Sequence, residues 1–322
     1  MISLGIESTS HTFGVGICNE NKIMANSLDM YKPEKGWGIK PDEARRHHEM
    51  VKNEILEKAL DEAKISTKDV DIISFSAGPG LPPCLVAGLE FTKFIAGKRP
   101  VIEVNHPVAH IEIGIMTCKC EDPVILYVSG GNTQVISYAS GRYRVFGETQ
   151  DMAIGNARDV LAREMGLGYP GGPEIDRLAA SGKNYIEFPY SIKGMDISFT
   201  GILTEAKRKL AGHSKEDVAF SFAETTFAML TEITERALAH LEKDEVLLTG
   251  GVAASPRLQE MMRIMCEERG AKCFVTPKNF SGDNGAMIAW TGLLGFKHGQ
   301  KPAKNPDFRS RWRTDEAEIY WR

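Results

Sequence analysis

The chain has 322 residues, of which 42% are hydrophobic and 25% are charged, and its formal net charge at pH 7 is −4. This composition is typical of a globular protein that is long for a single core, so we expect two lobes, and it excludes a global positive field that would attract nucleic acid. The chain enters a strand at once, without a cationic and apolar signal segment and without an apolar run of about 18 residues, which predicts a cytoplasmic protein with no membrane partner. The six cysteines form no C-x-x-C pair, so we expect free thiols.

The chain opens with a strand, a polar turn and a returning strand. Residues 2–6 are an apolar strand, residues 7–12 read Glu-Ser-Thr-Ser-His-Thr, and residues 13–17 return as a second strand. A further turn at 19–21 predicts a third strand after it. Hydroxyl groups and backbone amides in such a turn can donate hydrogen bonds to phosphate oxygens, so residues 7–12 are a candidate phosphate-binding turn.

Helices and strands alternate after this unit. A loop at 31–40 carries Trp37, which we expect to be exposed, and Pro41 is predicted to begin a helix that ends near residue 64. A strand at 71–76 and a helix at 84–96 are joined by a Gly-Pro-Gly turn. The turn would bring the backbone close to a ligand in the cleft, although a tight connection explains it equally well.

Two histidines follow the next predicted strand. Residues 101–104 form that strand, and His106 and His110 lie four residues apart, hence on one face of the helix that comes after it. Two imidazoles on one helical face can share a divalent metal ion. A lone H-x-x-x-H pattern also arises by chance, so the spacing alone favours ordinary packing over metal binding.

The strand–turn–strand unit recurs about 120 residues later, and this repeat organises the chain. Residues 124–128 are an apolar strand, residues 129–133 read Ser-Gly-Gly-Asn-Thr, and residues 135–138 resume the strand. The two glycines let backbone amides approach a ligand, although plain hairpins also carry Gly-Asn turns. The repeat predicts a duplicated α/β fold with two facing phosphate loops, similar to the two-lobed architecture of actin, sugar kinases and heat-shock ATPases.

Three residues after the second unit are candidates for contact with a ribose or a base. A helix at 153–165, a Gly-rich loop and a helix that begins at Pro173 place Asp159, Gly172 and Asp176 where loop and helix meet. Surface charge on amphipathic helices is the other interpretation of both aspartates, and the pattern alone favours it.

A second nucleotide signature lies nearer the C-terminus. A strand at 246–249, two glycines and small residues lead into a helix at 257–268, a pattern that lets an adenosine press on the backbone. Asp283 precedes an apolar helix at 286–294 and, on its own, is explained by helix capping.

We place the first actin-like lobe at residues 1–122 and the second at residues 123–322. The second lobe would contain a helical insertion at about 183–241 and end in a C-terminal helix and tail. The tail carries a compact basic and aromatic cluster, for which we expect contact with RNA phosphates over a purely solvated terminus. The cluster consists of Arg309, Arg311, Trp312 and Arg313.

Six spaced motifs carry a resemblance to a known family. They are ESTSHT at 7–12, AGPGL at 77–81, NHPVAH at 105–110, YVSGGNT at 127–133, GGVAA at 250–254 and SGDNGA at 281–286. Collinear over essentially the whole chain, they resemble the tRNA threonylcarbamoyladenosine transferase family, and in particular its archaeal and eukaryotic branch, the catalytic subunit of the KEOPS complex. The family was earlier described as O-sialoglycoprotein endopeptidases, but the chain has no catalytic Glu beside its histidines.

The resemblance implies an activity and a set of partners. The family transfers the threonylcarbamoyl group from threonylcarbamoyl-adenylate to the exocyclic amine of the adenosine adjacent to the anticodon in tRNAs reading ANN codons, and AMP is released. The implied partners are tRNA, an atypical kinase/ATPase subunit and other KEOPS-type subunits.

The resemblance also implies site residues. It implies one divalent metal ion per chain, iron before zinc, with His106, His110, Tyr127 and Asp283 as ligands. Our hypothesis for the proton acceptor is Glu7, in the first phosphate turn. The residues implied to contact the adenylate, or an ATP-like nucleotide, are Tyr127, Val128, Ser129, Gly130, Gly131, Asp159, Gly172, Asp176 and Ser255.

Two positions depart from the family pattern. The family's Asn after GGVAA is Ser255 here, and the shorter side chain could lose one hydrogen bond to the adenylate. The Lys of the family's SGLKT segment is replaced by Leu203, so a basic contact with tRNA would come from Lys207, Arg208 or Lys209.

Two other classes of function use the same cleft. A small-molecule kinase or ATPase would bind ATP with magnesium, but magnesium prefers oxygen ligands and water to imidazole. A regulatory subunit would hold a nucleotide and scaffold its partners without chemistry, whereas intact metal ligands and two phosphate turns favour catalysis.

Overall fold

Two five-stranded sheets with the same topology form the two halves of the molecule. A computed structural model describes residues 1–34 and 38–322, and Trp37 lies outside them. The first sheet has the order β3-β2-β1-β4-β5. Its strands are β1 (Ile2–Glu7), β2 (Thr12–Asn19), β3 (Ile23–Met30), β4 (Ile72–Gly78) and β5 (Val101–Asn105).

The second sheet repeats this arrangement strand by strand. Its strands are β6 (Val124–Val128), β7 (Thr133–Ala139), β8 (Arg142–Glu148), β11 (Glu245–Thr249) and β12 (Lys272–Val275), in the order β12-β11-β6-β7-β8. In both sheets three antiparallel strands are followed by two parallel ones. Read from the opposite edge, β8-β7-β6-β11-β12 matches the first sheet, which confirms the predicted duplicated, two-lobed α/β fold.

Ten helices lie among the described residues. They are α1 (Pro41–Ala63), α2 (Pro82–Ala96), α3 (His106–Cys118), α4 (Ile154–Glu164), α5 (Gly171–Ala179), α6 (Thr200–Lys209), α7 (Lys215–Leu241), α8 (Pro256–Glu268), α9 (Lys278–Ser281) and α10 (Gly285–Lys297). Across these same residues, the structure contains no helix whose length and apolar character would allow it to span a membrane. All six cysteines are free thiols, as expected.

The stretch predicted to be irregular before α6 contains a small hairpin. Strands β9 (Ile192–Lys193) and β10 (Asp196–Ile197) pair antiparallel there. The turn between them places Gly194 at φ 65°, a left-handed conformation that glycine adopts without steric cost. Two-residue strands carry too little alternation to stand out from a loop in the sequence.

Helix α10 packs directly on the first sheet although it lies late in the chain. A Cβ atom on Gly16 would stand 2.0 Å from the Ala286 nitrogen, and one on Gly5 would stand 2.1 Å from the Ala289 nitrogen. Only glycine permits this approach of helix and strand backbones. The packing brings the residues just before α10 to the first sheet, and the lobe boundary after residue 122 stays a prediction.

Helix α3 is the central element between the two sheets. Its residues from His106 to Gly114 are all buried, as expected for a helix that is apolar on every side. Val108 and Ile111 of this helix belong to one apolar cluster with Ile6 of the first sheet and Ile125 of the second. The start of α3 is therefore held by both lobes.

Candidate functional site

The end of β5 and the first turn of α3 position two histidines. The side-chain oxygen of Asn105 accepts a hydrogen bond from the Val108 nitrogen at 3.1 Å, which caps the helix. The Asn105 amide nitrogen also donates to the backbone oxygens of Trp312 and Arg313, at 3.2 and 3.3 Å. On this fixed turn the rings of His106 and His110 lie 4.7 Å apart between centroids, at an interplanar angle of 83°.

Asp283 reaches the same point from the other end of the chain. It immediately precedes α10, whose first turn is capped by Asn284. Its Oδ1 atom lies 3.2 Å from His110 Nε2 and 3.4 Å from His106 Nε2. Ligand atoms of the three residues lie within 4.8 Å of one another, a spacing that could hold a metal ion. The packing of α10 on the first sheet thus joins residues that are far apart in sequence.

Tyr127, at the end of β6, completes the cluster. Its side chain is fully buried, and its ring centroid lies 5.2 Å from that of His110. Within the described chain its hydroxyl makes no hydrogen bond of ordinary geometry, although Ser129 and Asn132 lie nearby. A buried phenol oxygen without a partner costs free energy unless a ligand satisfies it. Two imidazoles, a carboxylate and this oxygen are donors that suit iron or zinc, so the residues present fit the implied ion.

Glu7 lies behind His106, on the side away from Asp283. Its Oε2 atom is 2.9 Å from His106 Nδ1, while its Oε1 atom accepts hydrogen bonds from the nitrogen and hydroxyl of Thr9 at 2.7 and 2.6 Å. A carboxylate at Nδ1 holds the proton there and leaves Nε2 free to bind a metal ion. The carboxylate is fully buried and both its oxygens are engaged, whereas its role as proton acceptor stays a prediction.

Charge and burial act in opposite directions on these groups. Burial alone would lower the pKa of His106, but Glu7, Tyr127 and Asp283 outweigh it and raise that pKa well above its ordinary value. Burial would raise the pKa of Asp283, yet the two imidazoles hold it well below the usual range. Asp283 is therefore a carboxylate at neutral pH, as a metal ligand must be.

A cleft of about 1260 Å³ opens from this cluster between the lobes. Both turns line it, the first through residues 9–12 and the second through residues 129–132, and Gly251 and Ala254 line it as well. Of the predicted adenylate contacts, eight line the cleft, namely Tyr127, Ser129, Gly130, Gly131, Asp159, Gly172, Asp176 and Ser255. Val128 is fully buried and does not line the cleft.

Arg158 of α4 binds residues of α5 where the two helices line the cleft. Its guanidinium lies 2.5 Å from Asp176 Oδ1 and donates to the Gly172 oxygen at 2.7 Å, over the ring of Phe227 at 5.4 Å. The hydroxyl of Ser255 donates to the same Asp176 oxygen at 2.9 Å. Nothing in the sequence distinguishes Arg158 from a surface arginine, since only the tertiary fold shows that it is 3% exposed.

Asp159, the neighbour of Arg158 on α4, points to the loop before α5. Its Oδ1 atom accepts a hydrogen bond from the Gly171 nitrogen at 2.7 Å. Burial raises the pKa of Asp159, and this hydrogen bond opposes the rise. The residue thus fixes the Gly-rich loop that borders the cleft.

The predicted basic contacts are largely paired within the chain. Arg309 lies 3.4 Å over the Trp312 ring and 3.2 Å from Glu103, and Arg313 lies 3.2 Å from Glu148. Lys207 and Arg208 are paired with Glu164 and Glu205, while Leu203 is buried. Arg311 is exposed. Contact of these residues with RNA stays a prediction.

Solved structures similar to this chain show the fold. Thermococcus kodakarensis HypF matches with a TM-score of 0.64 at 15% identity, over 92% of this chain and 47% of the HypF chain, so this chain spans about half of HypF. The activator of the 2-hydroxyisocaproyl-CoA dehydratase from Clostridium difficile matches with a TM-score of 0.56 at 12% identity, over 92% of this chain and 96% of the activator. At these identities the matches concern the fold alone.

Sequence comparison identifies the family. The family model described as tRNA N6-adenosine threonylcarbamoyltransferase matches residues 22–290. Proteins of that name from Thermococcus sibiricus and Archaeoglobus fulgidus are 53% and 51% identical, each over 100% of both chains. A Methanosarcina mazei protein named "Probable bifunctional tRNA threonylcarbamoyladenosine biosynthesis protein" is 51% identical over 99% of this chain and 59% of its own length. The chain therefore belongs to the tRNA N6-adenosine threonylcarbamoyltransferase family, which confirms the family and the transferase activity predicted from its motifs.

Proposed function

We propose that this chain transfers the threonylcarbamoyl group from threonylcarbamoyl-adenylate to the exocyclic amine of the adenosine adjacent to the anticodon in tRNAs reading ANN codons, and releases AMP. The observation that carries the proposal is the position of one cluster. His106, His110, Tyr127 and Asp283 meet at the end of a cleft lined by two phosphate-type turns, in a chain of this family.

The cleft offers separate places for the parts of the donor. Gly130 and Gly131 in the second turn line the cleft, and an added Cβ atom on either would meet no atom within 4 Å, so phosphate oxygens could approach this backbone. Asp176, held by Arg158 and Ser255, presents a carboxylate that suits ribose hydroxyls. The threonylcarbamoyl end of the donor would then lie toward His106 and Asp283.

His106, His110, Tyr127 and Asp283 would hold a divalent iron or zinc ion. When bound, such an ion supplies Lewis-acid polarisation of the carbamoyl carbonyl and orients the threonyl part. Glu7 contributes by holding the Nδ1 proton of His106, so that Nε2 faces the ligand set. The residues that line the cleft would position the adenylate for attack by the amine.

The transferase activity of the chain would require partner subunits. The bifunctional name of the Methanosarcina relative, of which this chain spans 59%, supports a second activity that works together with the transferase. We propose an atypical kinase/ATPase subunit and other KEOPS-type subunits as partners, and the cytoplasm, where tRNA is modified, as the compartment.

The test is transfer of labelled threonylcarbamoyl from the adenylate to unmodified tRNA. The full chain is assayed alone and with partners co-purified from its own cells, beside a His110→Ala variant whose metal content is measured in parallel. We expect label on the tRNA and its loss, together with bound metal, in the variant. Label that survives the change would remove the metal role, and absence of label with partners present would overturn the transfer reaction.

A further inference from the structure

The transfer reaction needs a group that takes a proton. The adenosine nitrogen attacks the carbamoyl carbon, a C–N bond forms, and the C–O bond to the phosphate breaks as AMP leaves with the electron pair. One N–H proton of the amine must then leave the nitrogen, because the product nitrogen keeps only one. A side chain at the cleft that accepts this proton would act as general base.

Three acidic groups at or beside the cleft are already engaged, and a fourth, Asp159, accepts a hydrogen bond from the Gly171 nitrogen. Both oxygens of Glu7 accept hydrogen bonds or face His106, and the residue is fully buried. Asp176 is bound by Arg158 and Ser255, and Asp283 lies against His106 and His110. These contacts leave no carboxylate among the three that is free to accept a proton from a substrate.

His11 is differently placed. It stands at the end of the first turn, lines the cleft and is only partly buried. Its ring meets the edge of Tyr169 from the opposite lobe at 5.9 Å between centroids and 81°. In the described part of the chain, Nδ1 is buried without a hydrogen-bond partner and no hydrogen bond involves Nε2. No protein group therefore occupies the ring nitrogen that remains accessible from the cleft.

His11 lies near enough to Asp159 for the two side chains to interact. Burial raises the pKa of Asp159, and positive charge on His11 opposes that rise, so the two side chains interact electrostatically across the cleft. An imidazole with an unoccupied ring nitrogen can accept a proton and then give it up again in each cycle.

We propose that His11 is the catalytic base that accepts the proton of the attacking adenosine amine, with Tyr169 holding its ring against the cleft. The inference rests on the proposed transfer reaction and assigns to His11 the role that sequence reasoning gave to Glu7. It also gives a function to the histidine of the first motif, which neither the ligand set nor the nucleotide contacts use.

Chemical rescue tests the proposal. His11→Ala is compared with the wild-type assembly in single-turnover transfer at saturating donor, with and without added imidazoles of graded basicity. His298→Ala, a change at an exposed histidine at the end of α10, is the matched control. Binding of AMP to each variant is measured separately, since it reports whether the cleft is intact.

We expect the transfer rate of His11→Ala to fall by about 10²–10⁴-fold while AMP binds as in the wild type. Imidazole should restore part of the rate, and more basic imidazoles should restore more. His298→Ala should show neither effect. An unchanged rate, or a loss that imidazole does not rescue, would overturn the role of His11. A wild-type assembly that binds AMP but transfers no label would overturn the transfer reaction itself, and this inference with it.

Discussion

The two phosphate-type turns occupy equivalent places in equivalent sheets, yet they are built differently. In the first turn, Thr9 and Glu7 bind each other and His106, and the nitrogen of Ser8 donates to Ser76 Oγ at 3.1 Å. In the second turn, Gly130 and Gly131 are exposed, and no atom lies within 4 Å of where their Cβ atoms would stand. The first turn contacts His106 and so holds one of the candidate metal ligands in place. The second turn leaves its glycine backbone accessible to a ligand.

The largest expected effect on stability concerns His48 of α1, which supports the first turn. His48 Nε2 lies 2.9 Å from the Ser10 oxygen, and burial lowers the pKa of His48 from 6.5 to about 4. The unfolded chain binds this proton below about pH 6.5 and the folded chain does not until about pH 4, so the contribution is full above pH 6.5 and is lost as pH falls toward 4. We expect about 3 kcal/mol less free energy of unfolding from this group at pH 4 than at pH 7, measured by urea unfolding.

His48→Gln is the comparison for this prediction. Glutamine cannot titrate but can still donate to the Ser10 oxygen, so its unfolding free energy should vary less between these pH values. Equal pH dependence in both proteins would show that His48 is not a source of the acid sensitivity.

Next in size is the effect of Glu7→Gln on the ligand set. The change keeps the shape of the side chain but weakens the hold on the Nδ1 proton of His106. We expect affinity for the bound divalent ion to fall by about 10–100-fold, measured as metal content after dialysis against a graded chelator. Thr133→Val, a change in the second turn that does not touch His106, is the matched control. Unchanged affinity in Glu7→Gln would separate Glu7 from the metal site.

A pair of alanine substitutions compares the surroundings of the two turns, since Gly80 packs against the first turn and Gly130 lies in the second. A Cβ atom on Gly80 would stand 2.6 Å from the Thr9 oxygen, whereas one on Gly130 would meet no atom within 4 Å. Gly80→Ala should therefore lower the free energy of unfolding by at least about 1 kcal/mol, and Gly130→Ala should change it by less than about 0.5 kcal/mol. Gly130→Ala should instead weaken AMP binding, measured by calorimetry. The opposite pattern would refute the contrast between the turns.

The smallest expected effect is that of Ser255→Ala. The change removes the hydrogen bond to Asp176, which Arg158 still holds. We expect adenosine and AMP to bind about three- to tenfold more weakly, and Ser255→Thr, which keeps the hydroxyl, to bind them normally. Equal binding by all three proteins would mean that the hydroxyl does not help to orient Asp176.

Local pattern was enough for the framework of the molecule. The repeated strand–turn–strand units predicted both sheets, and the spacing of His106 and His110 placed them on one helical face, as observed. Those signals are local, because a strand and a helix each have a fixed period along the chain. The bounds of most helices and strands accordingly lie within a few residues of the predicted ones.

Local sequence patterns could not predict which distant residues contact the two histidines. Asp283 joins the histidines only because Gly5 and Gly16 admit α10 to the first sheet, and no local pattern encodes that contact. For Asp283 the family resemblance supplied what spacing did not. Arg158 lies over the ring of Phe227 and is buried. The sequence does not predict this burial, because no local pattern distinguishes a buried arginine from an exposed one.

The packing of α10 on the first sheet determines which sheet each candidate metal ligand belongs to. Asp283 is tied to that sheet through α10, whereas Tyr127 is part of the second sheet, as the last but one residue of β6. The candidate ligands Asp283 and Tyr127 thus belong to different sheets. A change in the angle between the two sheets would therefore change the distance between the phenol oxygen and the carboxylate, so an ion held by both residues would favour one angle between the sheets.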